Sequence, residues 1–326
     1  ALLFPHRASP TAPRWTLEIL RWQVGLVYLF GGVAKLNPDW LQAQPMLDWL
    51  DDYCLREWPG ELIAQQESAW VISYGGLFLD LAAFPLLMWR RSRVPMAIFL
   101  VGFHLSNDWL FQIGIFPWLM MGALLLYMDP DWFTRLRRWS LSRLGRSASP
   151  AHPQVGPAAR RFGGPSAAFF GIWIFVQVAT PLRHFLYPGN PSWTEEGHWF
   201  AWHMKLRSKQ GDTVFFIEDL DTGEVWPAQL SRYFDSRQRR KLQGHPEWIR
   251  QTAGHLARFA AEEGHPNVAV TADAWASLNG RPFQRIIDPN VDLSRVSYTW
   301  SPADWIIPLD PELALDPEPR RGAPCP

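Results

Sequence analysis

Five long apolar segments in the first 186 residues constrain the fold of this chain more than any other feature. They cover residues 17–36, 68–89, 94–109, 111–128 and 166–186. A membrane-crossing helix needs about 20 predominantly apolar residues, and each segment comes near that length. The third and fourth segments are joined by the four residues SNDW, which predicts a tight helical pair or a re-entrant stretch. The sequence therefore predicts a membrane protein.

Residues 187–326 carry more charge and more turn residues than the first part, which is typical of a globular piece. The predicted fold is an α-helical integral membrane bundle of about five spans followed by an α+β extracytoplasmic domain. We place the bundle at 1–186, the extracytoplasmic domain at 187–310 and a disordered, proline-rich tail at 311–326.

Three segments of the second part carry secondary-structure signals. DTVFFIEDLDTGEVWPA predicts a β-hairpin around an Asp-Thr-Gly turn. HPEWIRQTAGHLARFAAEEG has helical periodicity, with its apolar residues on one face, and NVAVTADAWASLNG is typical of a strand. Together they indicate a small α+β unit.

Arginines in the loops set the predicted orientation. They follow the second segment and fill the loop between the fourth and fifth: Arg90, Arg91, Arg93, Arg135, Arg137, Arg138, Arg143, Arg146, Arg160 and Arg161. Cytoplasmic loops carry an excess of positive charge, and alternate counting puts both basic loops on that side. Everything after the fifth segment then lies outside the cytoplasm. The basic stretch 135–161 is predicted to be a flexible surface loop.

Charge and cysteine content narrow the class of protein further. The 31 basic and 31 acidic residues cancel, so no nucleic-acid partner is expected. Cys54 and Cys325 are far apart and predict no disulfide framework. Twenty tryptophans fit an interfacial aromatic belt. The chain begins at Ala1 in a loop-like stretch without an initiator methionine, so we expect an upstream part to be missing.

Lys35 is the most unusual residue of the first segment because it ends an almost uncharged apolar run. A lysine at that depth either snorkels to the headgroups or loses its proton, since burial disfavours the charged form. A neutral amine in a dry pocket is a usable base. Position alone favours snorkelling.

Other polar side chains are predicted to share the outward face of the bundle with Lys35. His104 and Asn107 end the third segment, His184 ends the fifth, and Asp80 lies inside the second. Ionisable residues in membrane segments are functional candidates and are usually paired. The alternatives are an ion pair or helix–helix hydrogen bond for Asp80, a backbone-bonded core histidine for His104 and an interfacial position for His184. No local spacing supports a metal site, and none is predicted.

Six separated segments carry a family resemblance. They are YLFGGVAKLNPDWL, YGGLFLDL, FHLSNDWLFQIGIFPWLMM, HFLYPGNPSWTEEGHWFAWHMKLR, ADAWASLNGRPFQRIIDPNVDL and WSPADWIIPL. In this order they resemble the vitamin K-dependent gamma-glutamyl carboxylases and their bacterial relatives, which share the HTTM domain. The resemblance covers almost the whole chain, from near residue 6 to near residue 308.

The resemblance implies a carboxy-lyase. In that family the lysine at the Lys35 position is regarded as the base that deprotonates vitamin K hydroquinone. Reaction with O2 gives a strong base that removes a γ-proton from a glutamate, CO2 adds, and the quinone leaves as an epoxide. The implied cofactor is vitamin K hydroquinone or another reduced naphthoquinone, with O2 and CO2 as co-substrates. The implied partners are a glutamate-containing protein or peptide and membrane lipid.

The resemblance also assigns roles residue by residue. The catalytic residues are Lys35, His104 and His184, and the substrate-binding residues are Asn107, Trp193, His198, Trp202 and Arg207. His198 stands where the animal enzymes have tyrosine, and Arg207 and Lys209 stand where they have histidine and arginine. Arg207 can still clamp a carboxylate.

Two features of the family are expected to be absent from this chain. A further family histidine would lie before Ala1. The long β-rich continuation of the animal enzymes does not follow, so tight capture of propeptide-bearing proteins is not expected.

Two rival functions stay open from the sequence. One is a quinol epoxidase without carboxylation, because the altered His198 and Arg207 positions leave the glutamate site in question. The other is a non-catalytic HTTM membrane protein that binds quinone or lipid. Retention of segments 184–308 argues against this second rival, because a bare membrane scaffold does not need them.

Overall fold

A computed structural model describes the chain over residues 14–52, 66–111, 113–143 and 164–313. Two compact units form, and both are discontinuous in sequence. The first unit is Ala1–Val33 with Gly76–Thr180, and the second is Ala34–Gly75 with Pro181–Pro326. Cys54, Cys325 and residues 314–326 of the predicted tail lie outside the described residues. The predicted boundaries at 186 and 310 stay predictions.

The described helices, in chain order, are α1 (Arg14–Ala34), α2 (Pro38–Leu41), α3 (Met46–Asp52), α4 (Gln66–Met88), α5 (Arg93–Phe111), α6 (Phe116–Leu124), α7 (Pro130–Arg143), α8 (Gly164–Leu182), α9 (Pro191–Thr194), α10 (Ser236–Leu242) and α11 (Pro246–Glu262). Short 3-10 turns cover Leu125–Tyr127, Arg183–Leu186 and Leu230–Arg232. The strands are β1 (Lys209–Asp219), β2 (Val225–Pro227), β3 (Val268–Leu278) and β4 (Gln284–Arg285).

Four of the described helices are long and apolar enough to cross a membrane: Trp15–Ala34, Gln66–Met88, Arg93–Phe111 and Ala167–Leu186. The predicted fourth segment, 111–128, is different. It forms the shorter apolar helix Phe116–Tyr127, about 18 Å long at 1.5 Å per residue, which is less than the hydrocarbon thickness. The prediction was too long because α5 includes Phe111 and the chain then turns around Gly114 before α6 begins at Phe116.

The predicted turn at SNDW is wrong, because α5 continues through these residues to Phe111. Ser106 Oγ donates to the Gly102 carbonyl at 2.9 Å, so its hydroxyl is satisfied inside the helix. The chain turns instead around Gly114, whose φ is +75°. A glycine adopts this left-handed conformation at no steric cost.

The first unit holds a few polar groups in its interior and exposes many apolar side chains. Arg21, Asp80 and His104 are at most 7% exposed, whereas Phe99 is 72% exposed. A side chain at Gly25 would overlap the ring of Phe84, so α1 and α4 approach closely there. Exposed apolar side chains and a few enclosed ionisable groups fit a helical bundle in lipid.

The α8 helix has the most exposed surface of the candidate spans. Only 6% of the window Ala167–Leu186 is buried. It is tied to α1 by a hydrogen bond in which Gln23 Nε2 donates to Gln177 Oε1 at 2.8 Å, and Trp15 and Phe170 pack edge to face at 4.9 Å. Nearly all of its surface is therefore available to lipid.

The basic stretch 135–161 is not a loop over its first residues, because α7 extends to Arg143. Pro130 stands at the start of α7, where its missing N–H costs no hydrogen bond. Arg143 lies in the last turn, where a cation complements the helix dipole. The remainder of the stretch, 144–161, lies outside the described residues.

The second unit contains an antiparallel sheet of order β2-β1-β3-β4. The predicted hairpin is confirmed: β1 pairs with β2 across the Asp-Thr-Gly turn, from Phe216 opposite Pro227 to Glu218 opposite Val225. The predicted strand is confirmed as β3, which pairs with β1 over eleven positions, from Lys209 opposite Leu278 to Asp219 opposite Val268.

The predicted helix of this unit is confirmed as α11, which packs on the sheet. Its buried apolar face includes Ile249, Ala253, Leu256 and Ala260. These side chains share one hydrophobic core with β1, β3 and Trp193. The unit is thus an α+β domain with its apolar residues inside, as the sequence predicts.

Candidate functional site

Lys35 directly follows α1 and belongs to the second unit. It is only 8% exposed, and its Nζ lies 5.2 Å from the centre of the Trp40 ring. Trp40 is 3% exposed, and its Nε1 donates to the Ser73 carbonyl at 2.9 Å. A snorkelling lysine would extend to an exposed position, whereas Lys35 is enclosed beside an aromatic wall.

The turn after Lys35 is built by Asn37. Its amide nitrogen donates to the Ala34 carbonyl at 2.8 Å, and its amide oxygen accepts from the Trp40 backbone N–H at 3.0 Å. Asn37 therefore ends α1 and caps the one-turn helix α2. The same turn carries Asp39, which is 6% exposed.

Asp39 forms a bidentate ion pair with Arg281. Arg281 Nη1 and Nη2 lie 2.8 and 2.7 Å from the two carboxylate oxygens. Asn279 Nδ2 donates to the same carboxylate at 2.6 Å. Both partners belong to the second unit, and sequence analysis missed this pair because 242 positions separate the two residues.

His104 and Asn107 belong to the first unit. His104 is 3% exposed, and its Nε2 lies 2.7 Å from the Tyr28 hydroxyl. The partner is therefore a side-chain hydroxyl rather than the backbone carbonyl expected of an ordinary core histidine. Asp80 is also buried, and its Oδ2 lies 3.5 Å from the place of a Cβ at Gly31 on α1. The meeting of Lys35, His104 and His184 at one face stays a prediction.

A buried ionic cluster surrounds Glu195 in the second unit. Its Oε1 lies 3.0 Å from Lys209 Nζ, 3.2 Å from Arg207 Nη2 and 2.8 Å from His245 Nδ1. Burial raises the pKa of Glu195, but the charges of Lys209 and Arg207 and the hydrogen bond with His245 outweigh it, and the pKa lies well below its ordinary value. The carboxylate is ionised at neutral pH.

Lys209 is buried on the other side of this cluster. It donates to the Trp193 carbonyl at 2.6 Å as well as to Glu195. Burial lowers the pKa of Lys209 to about 8, against the opposing attraction of Glu195. The pKa of the Lys209 amine therefore lies close to physiological pH.

Arg207 is already engaged within this cluster. Besides Glu195, it contacts the Ser192 carbonyl through Nη1 at 3.1 Å. An internal carboxylate thus occupies the guanidinium that the sequence assigns to a substrate carboxylate. The adjacent Trp193 is completely buried in the core, and its Nε1 donates to the Ile307 carbonyl at 2.8 Å. Its place supports the cluster, and its contact with a substrate stays a prediction.

Three histidines of the second unit lie together. The ring of His203 is 4.6 Å from that of His184 and 6.1 Å from that of His198, measured between centres. His184 Nδ1 lies 2.8 Å from the Pro181 carbonyl. The buried Nδ1 atoms of His198 and His203 have no hydrogen-bond partner within the described parts of the chain.

Two histidines of this trio, His198 and His203, are neutral at physiological pH. Burial lowers the pKa of His198 to about 4, assisted by the charge of Arg207. Burial lowers the pKa of His203 to about 3, assisted by His184 and His198. Sequence analysis missed His203, although its spacing from His198 in HWFAWH was a visible signal. Neutral imidazoles can donate or accept a hydrogen bond to a bound molecule.

The backbone between these groups is strained. Positive φ angles occur at Glu195 (64°), Phe200 (62°), Trp202 (58°) and Lys205 (49°). Non-glycine residues rarely adopt this conformation, and such strain gathers at functional sites. A Cβ at Gly197 would lie 2.7 Å from His184 Cα, so only glycine allows the two segments to approach.

A pocket of about 740 Å³, including the solvent in its open mouth, borders this segment. Its lining combines Arg183, Glu195 and Gly197 with aromatic residues, namely Tyr187, Trp199, Trp248, Tyr298 and Trp305. Glu196 also lines it and accepts from the Ala303 N–H at 2.7 Å, while burial raises the pKa of Glu196. An aromatic pocket with a few polar groups is typical of a binding site for an organic molecule.

Metal ligation has no support in residues 14–52, 66–111, 113–143 and 164–313. No three side chains of His, Cys, Asp or Glu there are grouped so as to hold a metal ion. The histidine trio therefore offers hydrogen bonds rather than a coordination sphere.

Two sequence-family models match the chain. The HTTM domain matches residues 1–132, and the vitamin K-dependent gamma-carboxylase, lumenal domain, matches residues 165–312. No solved structure matches. The lumenal-domain match contains the Glu195 cluster, the histidine trio and Arg281, and the HTTM match contains Lys35 and His104.

Proposed function

The chain belongs to the vitamin K-dependent gamma-carboxylase family, and on this premise we propose that it couples epoxidation of a reduced naphthoquinone to carboxylation of glutamyl residues. The observation that carries the proposal is the enclosed amine of Lys35 beside Trp40, at the end of a candidate membrane span. By resemblance, His104 and His184 assist it. The proposed partners are a glutamate-containing protein or peptide and membrane lipid.

The chemistry of the residues around Lys35 supports the proposal of a reduced naphthoquinone. The amine offers a proton acceptor when neutral, the Trp40 ring offers a flat apolar wall, and water has little access to either group. When bound, a reduced naphthoquinone and O2 supply the strong base that the side chains of a protein cannot supply. The work of this chain is to take the first proton at Lys35 Nζ and to keep water away.

Glutamate binding is assigned to the second unit. His198, Trp202 and the aromatic pocket offer hydrogen bonds and stacking surface to an acceptor peptide. The proposed orientation places this unit outside the cytoplasm, because the arginine-rich loops are retained inside. It requires the short α6 to return the chain to the side where α5 begins, and the 3.4 Å pair of Arg90 with Asp129 supports this return. A phosphatase that is active only outside the cytoplasm tests this orientation. Fused after Pro326, it is expected to be active.

A second function is favoured by one observation. Arg207 and Lys209 already form ion pairs with Glu195. Both cations are therefore engaged and would have to leave Glu195 to bind an acceptor carboxylate. A quinol epoxidase without carboxylation would need Lys35 and no glutamate site. Incorporation of labelled CO2 into a glutamate-containing peptide separates the two functions.

The test uses the full chain in lipid nanodiscs with reduced naphthoquinone, O2 and labelled bicarbonate. Lys35→Ala is expected to abolish epoxide formation, whereas Lys205→Ala is expected to retain it. Lys205 is a matched control because its Nζ also lies over a tryptophan, 4.9 Å from the Trp49 ring. Substantial epoxide formation by the Lys35 variant would remove its role as base.

A further inference from the structure

We propose that Arg281 and Asn279 are positioning residues for Lys35, and that their contacts with Asp39 hold the turn on which the lysine stands. The inference deepens the proposed function and rests on it. We call the three side chains Asp39, Asn279 and Arg281 the latch. None of them is assigned a role by the family resemblance.

The latch is made of strong contacts. The guanidinium of Arg281 pairs both carboxylate oxygens of Asp39 within 2.8 Å, and Asn279 adds a third hydrogen bond at 2.6 Å. The two charged side chains are 12% and 8% exposed. A bidentate, nearly dry ion pair fixes orientation as well as distance, which exposed pairs do not.

The Asn279 end of the latch is itself rigid. Asn279 exchanges two hydrogen bonds with Ser208: its backbone N–H donates to the Ser208 carbonyl, and its side-chain oxygen accepts from the Ser208 N–H, both at 2.8 Å. These bonds extend the ladder between β1 and β3 beyond its last pair. Asn279 stands at φ +53° and Gly280 at +79°, which turns the chain toward Asp39.

The Asp39 end of the latch carries the lysine. Asp39 lies between Asn37, which caps α2, and Trp40, whose ring faces Lys35 Nζ. The three residues form one helical turn, so a shift of Asp39 moves the aromatic wall beneath the amine. Gly280 also lies close to α3, because a Cβ built there would be 3.1 Å from Asp48 Oδ1.

The latch explains why the turn after α1 belongs to the second unit. Residues 34–75 cluster with 181–326 rather than with the helices that precede and follow them. The sheet of the second unit therefore positions the proposed base. Loss of the latch is expected to free the Lys35 turn without unfolding the sheet.

The test measures how fast Lys35 reacts with a small amine-selective acylating reagent, using the full chain in nanodiscs. Peptide mass spectrometry gives the rate relative to the exposed Lys241. Arg281→Gln and Asp39→Asn are each expected to raise the relative rate about tenfold by opening the turn. Hydrogen exchange of the β3 amides is expected to stay unchanged.

Arg285→Gln is the matched control. Arg285 also pairs with an aspartate at 3.0 Å, Asp273 on β3, but both side chains of this pair are 40% exposed. Its guanidinium lies over the Trp275 ring of the same strand. Its Lys35 reactivity is expected to equal that of the wild type. The exchanged pair Asp39→Arg with Arg281→Asp is expected to restore part of the protection.

Turnover provides the second readout. With a wild type that forms epoxide, Arg281→Gln is expected to lower kcat about 100-fold with little change in KM for the reduced naphthoquinone. If Arg281→Gln does not accumulate, Arg281→Lys decides, because lysine keeps the charge but loses the fork. It is expected to show the same changes to a smaller degree.

The two possible failures are distinguishable. A wild type without epoxide formation overturns the proposed function, and the reactivity of Lys35 still reports on the latch. An active wild type with unchanged Lys35 reactivity and unchanged kcat in Arg281→Gln and Arg281→Lys overturns the latch alone.

Discussion

The two units of this chain differ in where their apolar side chains lie. The first has an apolar interior that also holds Arg21, Asp80 and His104, and it exposes Phe99. The second packs Ile249 and Leu256 of α11 against its sheet. The difference teaches that the two units are adapted to different solvents. In lipid an exposed apolar residue is at no disadvantage, and a buried polar residue needs a partner, which Tyr28 provides for His104.

The Glu195 cluster is the strongest exception to this contrast, because it puts charges inside the apolar-cored unit. Glu195→Gln is expected to destabilise the second unit by about 4 kcal/mol, since it leaves Lys209 and Arg207 buried without their counter-charge. Hydrogen exchange of the β3 amides measures the loss. The neighbouring Glu196→Gln keeps an oxygen for the Ala303 N–H and is expected to cost less than about 1 kcal/mol. Equal losses of stability in Glu195→Gln and Glu196→Gln would contradict the role of Glu195 as the counter-charge of Lys209 and Arg207.

A charge on the exposed face of α8 tests the assignment of lipid as its solvent. Phe175 is 70% exposed, and Phe175→Arg is expected to cost about 3 kcal/mol of membrane insertion. The fraction of chains that resist extraction from membranes measures this. Val214 is 43% exposed on β1, and Val214→Arg is expected to change stability by less than about 0.5 kcal/mol. Equal resistance of Phe175→Arg and Val214→Arg to extraction from membranes would contradict the assignment of lipid as the solvent of α8.

Truncation of an isoleucine in each unit tests the same contrast from the apolar side. Ile249 is fully buried, and Ile249→Ala is expected to cost about 3 kcal/mol in unfolding of the second unit. Ile98 is 68% exposed on α5, and Ile98→Ala is expected to cost less than about 0.5 kcal/mol, because lipid tails replace its contacts. Denaturant titration in nanodiscs gives both values.

The buried histidines make the second unit sensitive to acid. Above its ordinary pKa of 6.5, His203 is neutral both folded and unfolded, and the folded chain keeps it neutral down to a pKa of about 3. Between these values only the unfolded chain takes up the proton, so stability falls by about 1.4 kcal/mol per pH unit. His203→Gln is expected to remove this slope. His198→Gln is expected to remove a similar slope that ends near pH 4.

Denaturant titrations at several pH values measure these slopes. An unchanged acid slope in both histidine variants would show that the trio is not buried as described. A loss of the acid slope in His203→Gln but not in His198→Gln would support the burial of His203 and contradict that of His198.

Features with a strong local signal could be predicted from the sequence. The long apolar helices, the hairpin, the α11 face and β3 follow from periodicity and turn chemistry, and the structure confirms them. The end of α5 could not be predicted, because Ser106 satisfies its hydroxyl within the helix where a turn was expected. The predicted length of the fourth segment, 111–128, was too long for the same reason.

Some residues of the candidate site give a signal in the sequence, whereas their contacts give none. Lys35 and His184 stand out by residue type in apolar surroundings, whereas His203 stands among many aromatic residues and gives a weaker signal. The pair of Asp39 with Arg281 and the occupation of Arg207 by Glu195 depend on tertiary proximity. Local sequence carries no information on such pairings.

The register of β1 with β3 has a consequence for assembly. Lys209 pairs with Leu278 at the end of the ladder, and Asn279 and Arg281 follow within three residues. The Glu195 cluster and the latch are therefore both attached to that one end. A slip of one position would reverse the faces of Phe215 and Ile217 and displace both ionic groups together. A mispaired sheet thus exposes apolar surface and separates both ionic groups from their partners in a single step.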